Sequence, residues 1–416
     1  MALFTVGSLL CSVATNAIFL IVARAVQGCG GAALFATALA ILGQEFEGRQ
    51  RTRALSIWGA AVGGGLAIGP LSGGLLTQYI NWRAIFFVNV PIGLVVLVLS
   101  GRRLGESVDP DSGALDWLGA VLFGGTLSSL VFALLEGQRL GWSHPLIAGC
   151  LAAAVVMAVV FVRVERKDDA LFDLTLFGRP MFDGATIAVI GQGFAIGPVL
   201  FYLIRYLQEV VGLSPLQAGL RVFPLTVAAF VAALVAGRLP TAIPHGLALA
   251  ASLGLLGVGF CLLALVDARS GWSVMLPGIL VAGLGWGAVN PLAADCALSA
   301  VPQRRSGMAS GINNTARQVG IAVGLASLGS LWQHEVARAV RQQAAVAHFP
   351  ASLSSVAAKG GLSQALTVAP PSARSSLAAA VAKGSTSGFH AVTVVAGVGA
   401  LAVGALVAWL SSLNRP

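Results

Sequence analysis

Stretches of about twenty nearly uninterrupted apolar residues recur along the whole chain, and no other feature limits its fold so tightly. A helix needs about 20 such residues to cross the ~30 Å hydrocarbon core of a bilayer, where each backbone polar group must be satisfied within the segment. Runs of this kind fall at 2–16 (the shortest), 17–43, 54–77, 84–100, 117–136, 145–163, 183–206, 216–236, 247–266, 273–297, 307–332 and 389–411. They predict an all-α, multi-pass membrane protein with twelve spans. Sixteen acids and 25 bases are too few to coat a soluble globule of 416 residues. A soluble enzyme, a disulfide scaffold and a disordered chain are thereby excluded.

The formal net charge of +9 does not point to nucleic acid, because the bases sit in short clusters between apolar runs rather than in a stripe. Short loops rich in Lys and Arg stay cytoplasmic. Alternate loops collect Arg49, Arg51, Arg53, Arg102, Arg103, Arg163, Arg166, Lys167, Arg179, Arg238, Arg304, Arg305 and Arg415 on one side. The other side's short loops hold Arg83, Arg139 and Arg269. Both termini are therefore expected in the cytoplasm, with the chain in the cell membrane. The stretch 333–388, rich in Ala, Ser and Gln, is expected outside as a long connector with helix-forming residues over 331–347.

Cys11, Cys29, Cys150, Cys261 and Cys296 stand singly in or beside apolar runs, without metal or redox spacing, and read as small packing residues. The chain contains no nucleophile elbow, Walker loop, zinc-ligand spacing or paired carboxylates. No enzymatic activity, metal or cofactor is expected, and energy for any transport should come from an ion gradient.

Two stretches look alike. Gly28-Cys29-Gly30-Gly31-Ala32-Ala33 opens one, and Gly283-Leu284-Gly285-Trp286-Gly287-Ala288 opens the other. Each precedes a short arginine loop and then a glycine-rich span. Duplicated halves with a midplane site between them are a common transporter plan. The first copy lies in the second span, whereas its partner lies in the fourth of the last six. Residues 1–100 are thus expected to form an incomplete four-span bundle, 101–180 two linking spans, and 181–416 a six-span bundle.

Several motifs carry a resemblance. Ala23-Arg24-Ala25-Val26-Gln27-Gly28-Cys29-Gly30 has an arginine followed by Gln-Gly-x-Gly. Gly65-Leu66-Ala67-Ile68-Gly69-Pro70-Leu71-Ser72-Gly73-Gly74 fits G-x-x-x-G-P-x-x-G-G. Trp82–Gly93, Tyr206–Gly219 and Ser306–Asn314 add three further signatures. Together they resemble the 14-span drug:proton antiporter branch of the major facilitator superfamily, over essentially the whole chain. The resemblance implies two pseudo-symmetric helix bundles plus two linking helices. It also implies a proton gradient as energy source, with the Gly65, Gly69, Pro70, Gly73 and Gly74 segment as the antiporter motif. Met1 opens what resembles the family's third helix, so the first two are expected to be missing.

Ionisable residues deep in apolar runs mark function, since holding charge there costs at least ~2.5–3.5 kcal/mol on insertion scales. Arg24, expected to face the bundle interior, is a candidate for proton coupling or gating with Gln27; the competing reading is a hydrogen-bond hub between helices. Asp295 is a third candidate if desolvated, or else a solvated acid paired with Arg304 or Arg305. Asn313, Asn314, Arg317 and Gln318 form a polar cluster in which 313, 317 and 320 share one helical stripe and 314 and 318 another. One stripe should face a cavity and the other a neighbouring helix. With Gln192, Tyr202 and Asn290, and with Phe194 and Trp286, they are the candidate substrate-cavity residues. Gly65, Gly69 and Gly73 are spaced by four, as a close-packing seam requires. The expected function is export of amphipathic or hydrophobic small molecules by proton antiport with alternating access. The competing readings are a symporter or uniporter of the same fold, or a membrane-embedded interaction subunit.

Overall fold

The apolar runs fold as helices. The computed structural model describes residues 1–45, 48–103, 117–165, 176–236, 244–266, 272–301, 306–347 and 353–413, and contains no strand among them. In chain order the helices are α1 (Ala2–Ser12), α2 (Ala17–Glu45), α3 (Gly48–Tyr79), α4 (Ala84–Phe87), α5 (Asn89–Arg103), α6 (Trp117–Leu140) and α7 (Pro145–Val164). They continue with α8 (Pro180–Glu209), α9 (Pro215–Ala236), α10 (His245–Leu263), α11 (Trp272–Ser299), α12 (Ser306–Ala347), α13 (Leu353–Val368) and α14 (Arg374–Ser412).

Among the described residues, nine helical segments are long and apolar enough to cross a membrane. The expected spans on α1, α3 and α12 are not among them. α1 has only 11 residues and α12 carries the Asn313–Gln318 cluster, while many side chains of α3 lie outside the described residues. On α5 the side chains of Ile92 and of Leu94 through Leu99 are exposed almost all round the helix, as suits a surface solvated by lipid tails.

Turn chemistry sets the helix starts. Gly141 (φ 97°) takes the left-handed conformation that a side chain would resist, and the chain then enters α7 through a His144 cap and Pro145. Nδ1 of His144 accepts from the Leu146 amide at 3.3 Å. Before α8, the Gly178 amide donates to Oδ2 of Asp183 at 3.0 Å.

The chain divides into two compact units, Met1–Ala114 with Ser214–Phe223, and Leu115–Leu213 with Pro224–Pro416. In the first, α1 packs on α2, α4 and α5. In the second, α6 and α7 form an antiparallel pair, and α6 also touches α12. Helix α8 lies against α11, α12 and α14, and α10 lies against α11 and α14. The second unit's core includes Phe182, Val189, Leu249, Leu253, Val289, Leu292 and Ile312.

Small residues bring backbones into contact, as expected where lipid leaves no hydrophobic drive between helices. Gly283 and Gly287 of α11 lie against Leu225 and Ala229 of α9, while Gly285 faces Ser252 and Leu256 of α10. Gly193 of α8 and Gly320 of α12 meet each other's helix at Arg317 and Ile190. The stretch 333–388 is largely helical: α12 runs on to Ala347, α13 follows, and α14 begins at Arg374.

Candidate functional site

Among the described residues, polar side chains inside these apolar helices gather into a network in each unit. In the first, Gly7 of α1 rests on the Cα of Gln27 of α2, so the two helices cross there. The crossing puts Ser8 opposite Gln27, whose Nε2 donates to Oγ of Ser8 at 2.7 Å. Nη1 of Arg24 donates to Oε1 of Gln27 at 2.7 Å, and the Cys11 thiol lies 3.9 Å from the same oxygen. The guanidinium also sits 5.4 Å from the centroid of Phe86 on α4. Gln27 is 5% exposed, whereas Arg24 itself is exposed. The amide is enclosed, and the arginine caps it from the exposed side. A second arginine strengthens the same unit, since Arg83 donates to the Ala14 carbonyl through Nε (3.2 Å) and Nη2 (2.8 Å).

In the second unit Arg317 of α12 donates through Nη1 to Oδ1 of Asn290 on α11 at 3.1 Å, and through Nη2 to Oδ1 of Asn314. Gln192 of α8 is fully buried and donates through Nε2 to the Trp286 carbonyl at 3.1 Å, one turn before Asn290. Thus α8 and α12 both reach a single turn of α11. Oε1 of Gln192 and Oδ1 of the buried Asn313 have no hydrogen-bond partner among the described residues. The two expected stripes do not separate. Arg317 joins Asn314 from the other stripe because i and i−3 are neighbours on a helix, while Gly320 packs on α8 and Gln318 is exposed.

Tyr202 does not join this group. It stacks on Trp332 at 4.7 Å, with Arg205 over the far ring and paired with Glu209 at 2.9 Å. Trp332 lies fifteen residues beyond Arg317 on α12, about 22 Å along the axis. Asp295 is not desolvated. Its carboxylate is 56% exposed and lies 3.3 Å from Nδ1 of His245 at the start of α10. The partners expected for it, Arg304 and Arg305, lie outside the described residues, as does the ring of Pro70.

The glycine seam also differs from expectation. A Cβ placed at Gly65, Gly69 or Gly73 meets nothing within 4 Å among the described residues. Close packing falls instead at Gly74, against the Pro215 carbonyl and Leu216, where Oε1 of Gln78 accepts from the Leu216 amide at 3.3 Å.

The family follows from comparison with known sequences. A sequence profile described as Major Facilitator Superfamily matches residues 1–325. The chain belongs to this superfamily. The multidrug resistance protein Stp of Mycobacterium tuberculosis is 34% identical over 332 residues, covering 79% of this chain and 62% of Stp. The methylenomycin A resistance protein of Streptomyces coelicolor is 31% identical over 388 residues, covering 91% of this chain and 79% of that one. The cephamycin export protein CmcT of Amycolatopsis lactamdurans is 36% identical over 338 residues, covering 79% and 69%. The chain therefore spans less than two thirds of the length of Stp. Among solved structures, a bacterial homologue of the human lysosomal transporter Spinster, inward-facing and occupied, has a TM-score of 0.56 and 17% identity. It covers 99% of this chain and 81% of its own, and shows the shared fold.

Within this major-facilitator chain, sequence reading found both deep arginines but missed Ser8, Cys11, Phe86 and Trp332. Each of these is an ordinary residue in an apolar run, and only the helix crossings reveal it as a partner. The i to i+3 spacings of Arg24 with Gln27 and of Asn314 with Arg317 are contacts written locally.

Proposed function

We propose that this chain is the transport body of a secondary active exporter of amphipathic small molecules, driven by proton antiport, in the 14-span drug:proton antiporter branch. It works in the cell membrane with both termini cytoplasmic and needs no cofactor. Its similarity, at 31–36% identity, to proteins named for drug resistance or drug export carries this reading. Two features support it. The polar groups are few and specific within apolar walls, as in sites for amphipathic ligands. The deep charges are hydrogen-bonded to carboxamides, which holds them in place without neutralising them.

Arg24 and Gln27 serve as the gating pair, because Arg24 fixes one end of the Gln27 amide while the other end holds Ser8 at the α1–α2 crossing. Asp295 with His245 is the acid–imidazole pair assigned to proton exchange, with side chains 56% and 41% exposed. Asn290, Asn313, Asn314, Arg317, Gln318 and Gln192 line or support the substrate site, with Tyr202 in a separate aromatic layer. The Gly65–Gly74 segment provides a smooth helix face for the rocking step of alternating access.

The test is reconstitution in vesicles loaded with a pH-sensitive dye. Adding methylenomycin A or other antibiotics of the kind its relatives are named for should move protons in loaded vesicles and not in empty ones. With Asp295→Asn, substrate exchange should persist while substrate-induced proton movement is lost. Substrate movement that ignores the pH gradient in the unaltered protein would refute antiport. No movement of any compound would refute transport.

A further inference from the structure

We infer that the Arg317 cluster binds an organic monoanion, a carboxylate or similarly acidic group carried on an apolar body. The inference rests on the transport reading and names the substrate class of its site.

The first observation is a missing counter-charge. Arg317 stands twelve residues into α12, and its two recorded acceptors are the neutral oxygens of Asn290 and Asn314. Among the described residues no carboxylate pairs with it. The acids described in the second unit are placed elsewhere. Glu136 lies in the last turn of α6, Glu165 just after α7, Asp183 in the first turn of α8 and Glu209 at its end. Asp295 is paired with His245, and Glu335 lies beyond the apolar part of α12 near Arg338. A partly enclosed guanidinium keeps its charge, so a site built this way is completed by an anion that arrives from outside.

The second observation is that the guanidinium is held in place. The Gly193–Arg317 contact clamps the α12 backbone against α8, and the Asn290 and Asn314 oxygens take one N–H from each Nη. Three of the five N–H groups remain, including Nε–H, and a carboxylate can take two of them side by side. The third observation is apolar enclosure. Trp286 is 8% exposed on the adjoining turn of α11, and Ile321 stands one turn beyond Arg317 on α12. One fixed charge in such walls suits a single negative group on a hydrophobic frame. It repels an ammonium of the same shape, and it is poorly matched to a dianion, which needs more donors.

The experiment uses the whole protein in detergent micelles and three probes of one shape: 2-naphthoxyacetate, its methyl ester, and 2-naphthoxyethyl-trimethylammonium. Binding is measured by isothermal titration at neutral pH. The carboxylate should bind at least tenfold more tightly than the ester, and the ammonium more weakly than either. Arg317→Gln should erase the difference between acid and ester without changing ester affinity. Arg317→Lys, which keeps charge but not the fork, should retain only part of it. Arg163→Gln, an exposed arginine on α7, should change nothing.

Equal affinities for acid and ester in the unaltered protein, or a preference for the ammonium, would overturn the inference. So would an acid preference that survives Arg317→Gln. If Arg317→Gln does not fold, the three-probe comparison on the unaltered protein decides alone. Failure here is separable from failure of the transport reading. Probe binding without flux refutes transport, and export of neutral or cationic compounds with no acid preference refutes only the anion site.

Discussion

Gln27 uses both ends of its amide, its oxygen accepting from Arg24 and its nitrogen donating to Ser8. Gln27→Leu would keep the bulk and strand the Ser8 hydroxyl, which is fully buried. Leaving a buried polar group unsatisfied costs about 1–3 kcal/mol, so the purified protein should melt at a lower temperature, with Gln27→Glu closer to the unaltered value. The Asp295–His245 pair is different in kind, with side chains 56% and 41% exposed. A double-mutant cycle on it should give a coupling energy below about 1 kcal/mol, even where Asp295→Asn abolishes proton coupling. At this scale the sequence revealed the charged residues, because an arginine in an apolar run is conspicuous. It did not reveal their partners. Ser8 is nineteen residues from Gln27, and His245 is fifty from Asp295, distances bridged by helix crossings that no local pattern encodes.

Helices in lipid are positioned by which faces can approach closely. The Gly283–Gly287 segment touches α9 and α10 by backbone, so Gly287→Val should drive α9 and α11 apart and sharply reduce the yield of folded, monodisperse protein. Gly69→Val, which meets nothing within 4 Å among the described residues, should fold nearly as well as the unaltered chain. A fall in transport with Gly69→Val at normal yield would place the role of that face in the transport cycle rather than in assembly. Size-exclusion profiles of the two variants make the comparison. Helix positions were readable from apolar run length alone, and the internal repeat pointed to both glycine-dense segments. Glycine spacing of four was a weaker guide. It marks a smooth face on α3 but says nothing of whether another helix is there to meet it, and contact falls at Gly74 instead.

The proposed orientation can be tested by labelling. In a background without the five native cysteines, Trp142→Cys and Ser412→Cys should react with a membrane-impermeant thiol reagent from opposite sides, the first from outside the cell. Labelling of both from one side would reject the orientation. The expected long connector at 333–388 was the least legible part of the chain. Its Ala, Ser and Gln content is compatible with helix or loop, and its described residues are mostly helical, with α13 and α14 packed against α12. As a 42-residue helix, α12 extends about 63 Å, twice the thickness of the hydrocarbon core. Clasped by α14 at Trp332, Val336 and Ala339, it moves with that helix as a long rod, which converts a small tilt into a large sweep at its tip. Rocking α12 by 20° about the level of Arg317 would carry its far end through roughly 15 Å, a displacement large enough for a pair of spin labels to follow each turnover.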